Sequence, residues 1–128
     1  MLGDDVDLVL NADRAATKEL LTAAGCLIMP IRWHEPFGMV MVEAMASGTP
    51  VVALRRGSVP EVVEHGVTGW ICDEPEELAT WLNRCGELDP DACVQRVQEH
   101  FSEDAMAAAY EDVYRKAIAG SQAKHPRP

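Results

Sequence analysis

Two glutamates, Glu35 and Glu43, stand on either side of the predicted start of a helix. The proline after Glu35 favours extended backbone at Glu35, so that carboxylate is expected in the loop before the helix. Gly38 has no side chain and allows a ligand to approach the backbone closely. The free N–H groups of Gly38, Met39 and Val40 are expected to point out of the helix N-terminus, which carries about half a positive charge. A phosphate is a natural ligand for such a helix end.

Glu43 lies about five residues into this helix, roughly 7.5 Å along its axis. Its neighbours in the helix are apolar on all sides, which predicts a buried helix and a carboxylate that needs a partner. Ribose hydroxyls suit this carboxylate, because it can accept from two neighbouring OH groups. Glu43 could equally reach solvent or an arginine. The residues alone leave both interpretations open.

Three short apolar runs, at 26–30, 49–54 and 69–72, are predicted to be strands that alternate with helices. The first two runs are expected to be buried on both faces. This order predicts an α/β fold, a Rossmann-like parallel sheet flanked by helices. Doubly wound sheets usually have about five or six strands, so we expect either a small domain or one that lacks its first strands.

Side chains that can accept from a free backbone N–H precede most of the predicted helices. These predicted caps are Asp13, Ser58, Asp73, Asp89 and Ser102. Ser58 with Glu61, and Asp73 with Glu76, also have the spacing of a capping box. In the last helix, apolar residues share one stripe. They are Met106, Tyr110, Val113 and Ala117.

The chain has 128 residues, of which 48% are hydrophobic and 25% charged, as in ordinary globular proteins. Its net charge of −10 argues against binding to nucleic acid or to anionic membranes. No apolar run is long enough to span a bilayer and no secretory signal is visible, so a cytoplasmic location is expected. We expect one domain over 1–119 and a disordered tail over 120–128.

The four cysteines, Cys26, Cys72, Cys85 and Cys93, form no Cys-x-x-Cys pair. The simplest interpretation is reduced, buried thiols in a cytosolic protein. A zinc site that uses Cys72 and His65 is a weaker alternative, because the spacing does not fit the common frameworks.

The stretch Glu35-Pro-Phe-Gly-x4-Glu43-Ala-Met-Ala-x-Gly-Thr-Pro-Val-Val resembles the Glu-x7-Glu signature of the retaining glycosyltransferases of family 4, the group 1 family, which have the GT-B fold. Pro-Ile-Arg-Trp-His before it, Arg-Arg-Gly-Ser-Val-Pro-Glu after it and Gly66-Val-Thr-Gly69 also look like that family. The resemblance extends over roughly 3–114. It implies part of the C-terminal, donor-binding domain of a GT-B protein.

The resemblance also implies roles for the residues of the signature. Glu35 matches the glutamate that lies against the hydroxyls of the donor sugar and is essential for transfer. Phe37 and Gly38 match positions whose backbone N–H groups touch the sugar. Met39 and Val40 match positions beside the diphosphate. The implied reaction is transfer of a hexose from a nucleoside diphosphate sugar to an acceptor, with retention at the anomeric carbon.

Glu43 matches the glutamate that binds the nucleotide ribose, and Thr49 matches a position with a structural role. The fold class implies no metal cofactor. Family members also have an N-terminal acceptor-binding domain, and a Gly-Arg…Lys-Gly segment that neutralises the diphosphate. No such segment precedes Cys26. We therefore expect a fragment of a donor-binding domain. Its expected partner is the missing N-terminal acceptor domain, and the fragment alone is expected to transfer negligible sugar.

Residues near the signature have competing explanations. Arg55 and Arg56 could clamp a phosphate or form a solvated loop pair. His34 could tune the neighbouring Glu35 or be structural, and Trp33 fits the core or the rim of a site better than a sugar-stacking platform. A different class also stays open, a non-catalytic nucleotide-binding or partner module whose sheet edge pairs with another chain. Sugar-nucleotide epimerisation fits the signature less well.

Overall fold

The computed structural model describes residues 5–124, with side chains to residue 120. The elements in chain order are α1 (Arg14–Ala23), β1 (Leu27–Met29), α2 (Met39–Ala46), β2 (Val51–Leu54), α3 (Val59–Val62), β3 (Gly69–Cys72), α4 (Leu78–Leu82), α5 (Pro90–His100) and α6 (Glu103–Lys124). Two 3-10 turns, Pro75–Glu77 and Cys85–Glu87, flank α4. Within residues 5–124, none of the helices combines the length with the apolar character that a bilayer-spanning segment requires.

The three strands form a parallel sheet in the order β1-β2-β3. Leu27 of β1 lies opposite Val51 of β2, and Ala53 of β2 lies opposite Ile71 of β3. Parallel neighbours need crossover connections, which contain α2 and α3 here. The predicted fold class, an α/β protein with a Rossmann-like parallel sheet flanked by helices, is confirmed. The carboxyl ends of all three strands therefore lie at one edge of the sheet.

Helices cover both faces of β2, the central strand. Because strand side chains alternate between faces, Val51 and Ala53 join a core formed with α2, α3 and α5. Val52 and Leu54 join a second core that α4 covers. All four residues of β2 are buried, as the sequence predicts for a strand covered on both faces.

The edge strand β1 differs from its prediction. Ile28 is 44% exposed, so the expectation that β1 is buried on both faces is wrong. The physical reason is the position of α4, which packs on β2 and β3. The face of β1 that carries Ile28 consequently remains open to solvent.

Three of the predicted helix caps are confirmed. Asp13 and Asp89 each accept a hydrogen bond from a backbone N–H in the first turn of α1 and α5. Ser102 Oγ accepts from the N–H of Ala105 at 3.2 Å. These bonds satisfy donors that a helix N-terminus otherwise leaves free.

The capping box after β3 lies one residue later than predicted. It is formed by Glu74 and Glu77, and not by Asp73 and Glu76. Glu77 Oε2 accepts from the N–H groups of Asp73 at 2.7 Å and of Glu74 at 3.0 Å. The acidic run offers two pairs with the same spacing, so spacing alone does not distinguish them.

Helix α6 continues to Lys124. The segment predicted to be a disordered tail, 120–128, thus begins as helix, and its residues 125–128 lie outside the described residues. The boundary at residue 119 stays a prediction. The apolar stripe on α6 faces solvent, because Met106, Tyr110 and Val113 are 56–58% exposed.

Candidate functional site

The candidate site lies where the loop after β1 and the loop after β2 meet. The first loop leads into α2 and carries Glu35, and the second leads into α3 and carries Ser58. Both loops follow the carboxyl ends of parallel strands, which is where ligands bind in open α/β sheets. The structure therefore places the predicted signature at the edge of the sheet that suits a ligand.

Glu35 is held at its side chain and at its backbone. The indole Nε1–H of Trp33 donates to Glu35 Oε2 at 3.0 Å. The N–H of Ser58 donates to the carbonyl oxygen of Glu35 at 3.0 Å. Glu35 is half-buried, and one carboxylate oxygen is thereby oriented before any ligand arrives. Trp33, which the sequence places in the core or at the rim, is at the rim with 62% of its surface exposed.

Ser58 ties the two loops together and does not cap α3. Its Oγ–H donates to the carbonyl oxygen of Phe37 at 2.7 Å, and its side chain makes no hydrogen bond to the N-terminus of α3. The predicted capping box with Glu61 is therefore wrong. The buried hydroxyl instead bonds across the site, where it gives the carbonyl of Phe37 a hydrogen-bond donor.

Gly57 allows the close contact between the loops. It has a φ of 52°, in the left-handed region, and a Cβ built there would lie 2.6 Å from the backbone nitrogen of Glu35. Only glycine combines this conformation with this contact. Gly57 and Ser58 thus form a clamp on the Glu35 loop, a contact that the sequence does not predict. Arg-Arg-Gly-Ser was visible as a loop sequence, but nothing in it points to a partner more than 20 residues away.

Gly38 shapes the N-terminus of α2. It is the N-cap residue, with a φ of 74°, and an added Cβ would lie 2.6 Å from Met41 Cε and 3.3 Å from Glu35 Cγ. The Glu35 side chain therefore packs directly against the start of the helix. Met39 is 58% exposed and Val40 is partly exposed, so the first turn of α2 is accessible. Its first N–H groups lack intrahelical acceptors.

Phe37 anchors the loop to the end of α5. Its ring meets that of Phe101 edge to face, with centroids 6.0 Å apart, while 40% of its surface remains exposed. Aromatic pairs in this arrangement add about 0.5–1.5 kcal/mol to the burial they provide. The loop between Trp33 and Gly38 is thus fixed at several points.

Glu43 is exposed, so the expectation of a buried carboxylate is wrong. It shares an exposed stripe of α2 with Met39 and Ala46, at spacings of four and three residues, while Met41 and Met45 face the core. The apolar neighbours of Glu43 predicted that this residue is buried, but the side of α2 that carries Glu43 faces away from the core.

Glu43 lines an open cleft of about 730 Å³ between α1 and α2. The lining residues are Ala12, Arg14, Thr17, Lys18, Leu21, Glu43, Ala46 and Ser47. Within residues 5–124, Glu43 makes no ion pair with either cation of this cleft. Its carboxylate is available to a ligand, and Arg14 and Lys18 were not identified from the sequence.

The remaining candidates have local partners. Arg55 pairs with Asp73 at 2.6 Å, and Arg56 donates to the carbonyl of Arg55, which favours the loop-pair interpretation over a phosphate clamp. His34 is exposed, and the carboxylate of Glu35 is bonded to Trp33 instead.

The other two tryptophans lie outside the site. Trp70 and Trp81 stack on each other with centroids 4.5 Å apart and planes 22° apart, and the Arg84 guanidinium lies about 5 Å from both rings. Within the described part of the chain, no three side chains of the metal-binding types come together. Cys72 and His65 therefore have no third ligand there.

The chain is similar to several known proteins. Residues 1–103 match the family model described as glycosyl transferases group 1. A D-inositol 3-phosphate glycosyltransferase of Mycolicibacterium smegmatis is 31% identical, over 99% of this chain and 30% of its own length. An N-acetyl-alpha-D-glucosaminyl L-malate synthase of Bacillus anthracis is 32% identical, over 84% of this chain and 30% of its own length.

Among solved structures, a sucrose-phosphate synthase from Thermosynechococcus elongatus matches with a TM-score of 0.60 and 32% identity, over 78% of this chain and 27% of that chain. Fold and site define a Rossmann-like α/β protein with its candidate site at the carboxyl edge of the sheet. The chain belongs to the group 1 glycosyl transferases. It spans about 30% of the length of the two relatives named above.

Proposed function

We propose that this chain carries the donor-binding part of a retaining glycosyltransferase of family 4, which transfers a hexose from a nucleoside diphosphate sugar to an acceptor. The observation that carries the proposal is the arrangement of Glu35 and Glu43 around the N-terminus of α2. One carboxylate is held against the helix start, and the other is exposed in a cleft about one turn further along.

In this proposal Glu35 accepts hydrogen bonds from the hydroxyls of the donor sugar. Its fixed orientation supports the role, because a carboxylate positioned in advance loses little freedom when the sugar binds. The backbone N–H groups of Phe37 and Gly38 contact the sugar, and those of Met39 and Val40 lie beside the diphosphate. Met39 is exposed and Val40 partly exposed, which supports the contacts at the diphosphate, whereas Gly38 is buried.

Glu43 binds the ribose of the nucleotide. Its exposure and the cleft between α1 and α2 support this role, since a volume of about 730 Å³ is within the usual range of small-molecule sites. Because Glu43 is exposed, burial is not a reason for its carboxylate to need a partner. The exposure does make both carboxylate oxygens available to accept hydrogen bonds from neighbouring hydroxyls.

Transfer breaks the bond between the anomeric carbon and the diphosphate oxygen, while the acceptor hydroxyl oxygen bonds to that carbon on the same face and its proton passes to the departing diphosphate. Negative charge grows on the leaving diphosphate, where the N-terminus of α2 stabilises it. The reaction needs no metal in this proposal. We place it in the cytoplasm, where free thiols such as these four persist.

The isolated 128-residue chain should transfer negligible sugar. It contains no Gly-Arg…Lys-Gly segment before Cys26, the segment from which the resemblance expects the cations at the diphosphate. The acceptor is bound by a further domain in this proposal. Robust turnover of a sugar nucleotide by the purified chain would contradict this part of it.

An amide NMR titration of the purified chain with UDP-glucose and GDP-mannose tests donor binding. We expect a dispersed spectrum in which the amides of 35–40 and those around Glu43 shift with one of the two nucleotides. Glu43→Gln should weaken the shifts. The matched control is Glu99→Gln, which makes the same change at an exposed site on α5 and should leave them unaltered. A dispersed spectrum that neither nucleotide changes would reject the donor site.

A second candidate function is a non-catalytic module that completes another polypeptide. The apolar stripe on α6 and the open face of β1 at Ile28 favour it, because exposed apolar surface of this kind is typical of interaction sites. Analytical ultracentrifugation distinguishes the two. A monomer that binds a sugar nucleotide supports the first function, and an oligomer indifferent to both nucleotides supports the second.

A further inference from the structure

Two thiols from distant parts of the chain meet at the sheet face that α4 covers. Cys26 immediately precedes β1, and Cys85 begins the 3-10 turn after α4, 59 positions further along. Cys26 packs against the core cluster that contains Cys85. Among the neighbouring side chains, Cys26 acts most strongly on the pKa of the Cys85 thiol, so the two thiols are neighbours in this cluster, and both are free.

The two thiols differ in how easily a reagent reaches them. Cys26 is partly exposed, whereas Cys85 is 6% exposed and its thiol donates to the carbonyl of Trp81 at 3.6 Å. Burial, together with the neighbouring Cys26, raises the pKa of the Cys85 thiol to about 12. A reagent in solution therefore meets Cys26 first, and Cys85 is placed to react second.

We propose that Cys26 and Cys85 form a redox-modification site, which reacts with a small-molecule disulfide and closes to an intramolecular disulfide. The Cys26 thiolate attacks one sulfur of the small disulfide, whose S–S bond breaks and releases one thiolate. Cys85 then loses its proton and attacks Cys26 Sγ, which forms the protein S–S bond and releases the second small thiolate. Two protein thiols are oxidised, and the small disulfide is reduced to two thiols.

The other two cysteines provide internal controls. Cys72 lies in the same core as Cys85 but is fully buried, and burial is the main cause that raises the pKa of its thiol. Cys93 lies in the core on the opposite sheet face, and its thiol donates to the carbonyl of Thr68 at 3.7 Å. Neither is partly exposed as Cys26 is.

The modification site is separate from the candidate donor site. Cys26 lies at the amino end of β1, and the loop with Glu35 follows the carboxyl end of the same strand. Oxidation should therefore leave nucleotide binding unchanged, and the inference does not depend on the proposed function.

The test is oxidation of the folded, fully reduced chain with glutathione disulfide, followed by mass spectrometry and trypsin digestion without reduction. Cys26 falls in the tryptic peptide 19–32, Cys72 in 57–84, and both Cys85 and Cys93 in 85–96. We expect the intact mass to fall by two hydrogens, two of the four thiols to disappear, and peptides 19–32 and 85–96 to be joined. Cys93→Ser removes the ambiguity within 85–96 and should keep the link.

Cys85→Ser is expected to stop the reaction at a single glutathione on Cys26, with no loss of the other thiols. The inference is overturned if the parent chain keeps glutathione on Cys26, if its four thiols do not react, or if the link survives in Cys85→Ser and disappears in Cys93→Ser. Oxidation of the parent chain in denaturant controls for chance pairing. The denatured chain should give mixed links that include peptide 57–84. If the folded and the denatured chain form the same set of links, the inference is also overturned.

Discussion

The indole N–H of Trp33 donates to the carboxylate of Glu35, two residues further along the same loop. This bond joins an exposed ring to the half-buried residue that the proposed function places against the sugar. The backbone of Glu35 is bonded to Ser58 on the other loop. The carboxylate therefore has a defined direction although most of the ring that directs it lies in solvent.

Replacing Trp33 by phenylalanine removes the donor and keeps a large ring. One hydrogen bond contributes about 1 kcal/mol net, so we expect about fivefold weaker donor binding in an NMR titration. The free energy of unfolding should change little, because Trp33 is exposed. Trp81→Phe, which alters a tryptophan away from the site, should leave the affinity unchanged. Equal affinity in the two variants would show that the bond to Glu35 has no part in binding.

Glu43→Gln keeps the shape of the side chain and removes its charge. Hydrogen bonds to a charged group are worth about 1.5–3 kcal/mol, so loss of the charge should weaken donor binding on the order of tenfold. Since Glu43 is exposed and makes no ion pair within residues 5–124, urea unfolding should be unaffected. An unchanged titration curve would reject the ribose contact and favour the interpretation in which Glu43 only faces solvent.

Ser58→Ala should destabilise the fold by about 1–3 kcal/mol, because the buried hydroxyl is lost and the carbonyl of Phe37 loses its donor. Urea unfolding measures the change. Ser47→Ala is the matched control: its hydroxyl bonds within its own helix and is more exposed, so a change under about 0.5 kcal/mol is expected. Equal effects at the two serines would show that Ser58 contributes nothing special by bridging the loops.

Gly57→Ala should cost about 1–3 kcal/mol, because the left-handed backbone is strained with a side chain. The added methyl would also press against the backbone of Glu35. Gly86→Ala, where an added Cβ meets nothing within 4 Å, should change stability by less than about 1 kcal/mol. If Gly57→Ala folds, its amide chemical shifts should differ most from those of the parent chain at Glu35. Shifts confined to the loop after β2 would argue against the clamp.

Local patterns in the sequence predicted much of the fold. Short apolar runs located the three strands, and Asp13 and Asp89 marked helix starts correctly. Burial was harder to predict, because it depends on which helix lies above a residue. Ile28 looked like a core residue, yet α4 does not cover it, and Glu43 looked buried although its side of α2 faces a cleft.

The contacts that fix the site were beyond sequence reasoning. Ser58 had a sufficient local explanation as a cap, and only the folded chain shows that its hydroxyl bonds to Phe37, 21 residues earlier. Pro36 predicted that Glu35 lies in the loop before α2, and Gly38 was predicted to lie at the start of that helix. Their roles toward a donor stay predictions until a ligand is titrated.

The stack of Trp70 on Trp81 also determines what the chain's fluorescence reports. Two indoles at 4.5 Å couple their excited states, and the circular-dichroism couplet expected from such a pair should follow the integrity of the fold. Trp33 is the remaining tryptophan and lies alone beside Glu35 in solvent. Because its ring is exposed, its emission is expected to be red-shifted and to serve as a built-in optical signal for events at the candidate site.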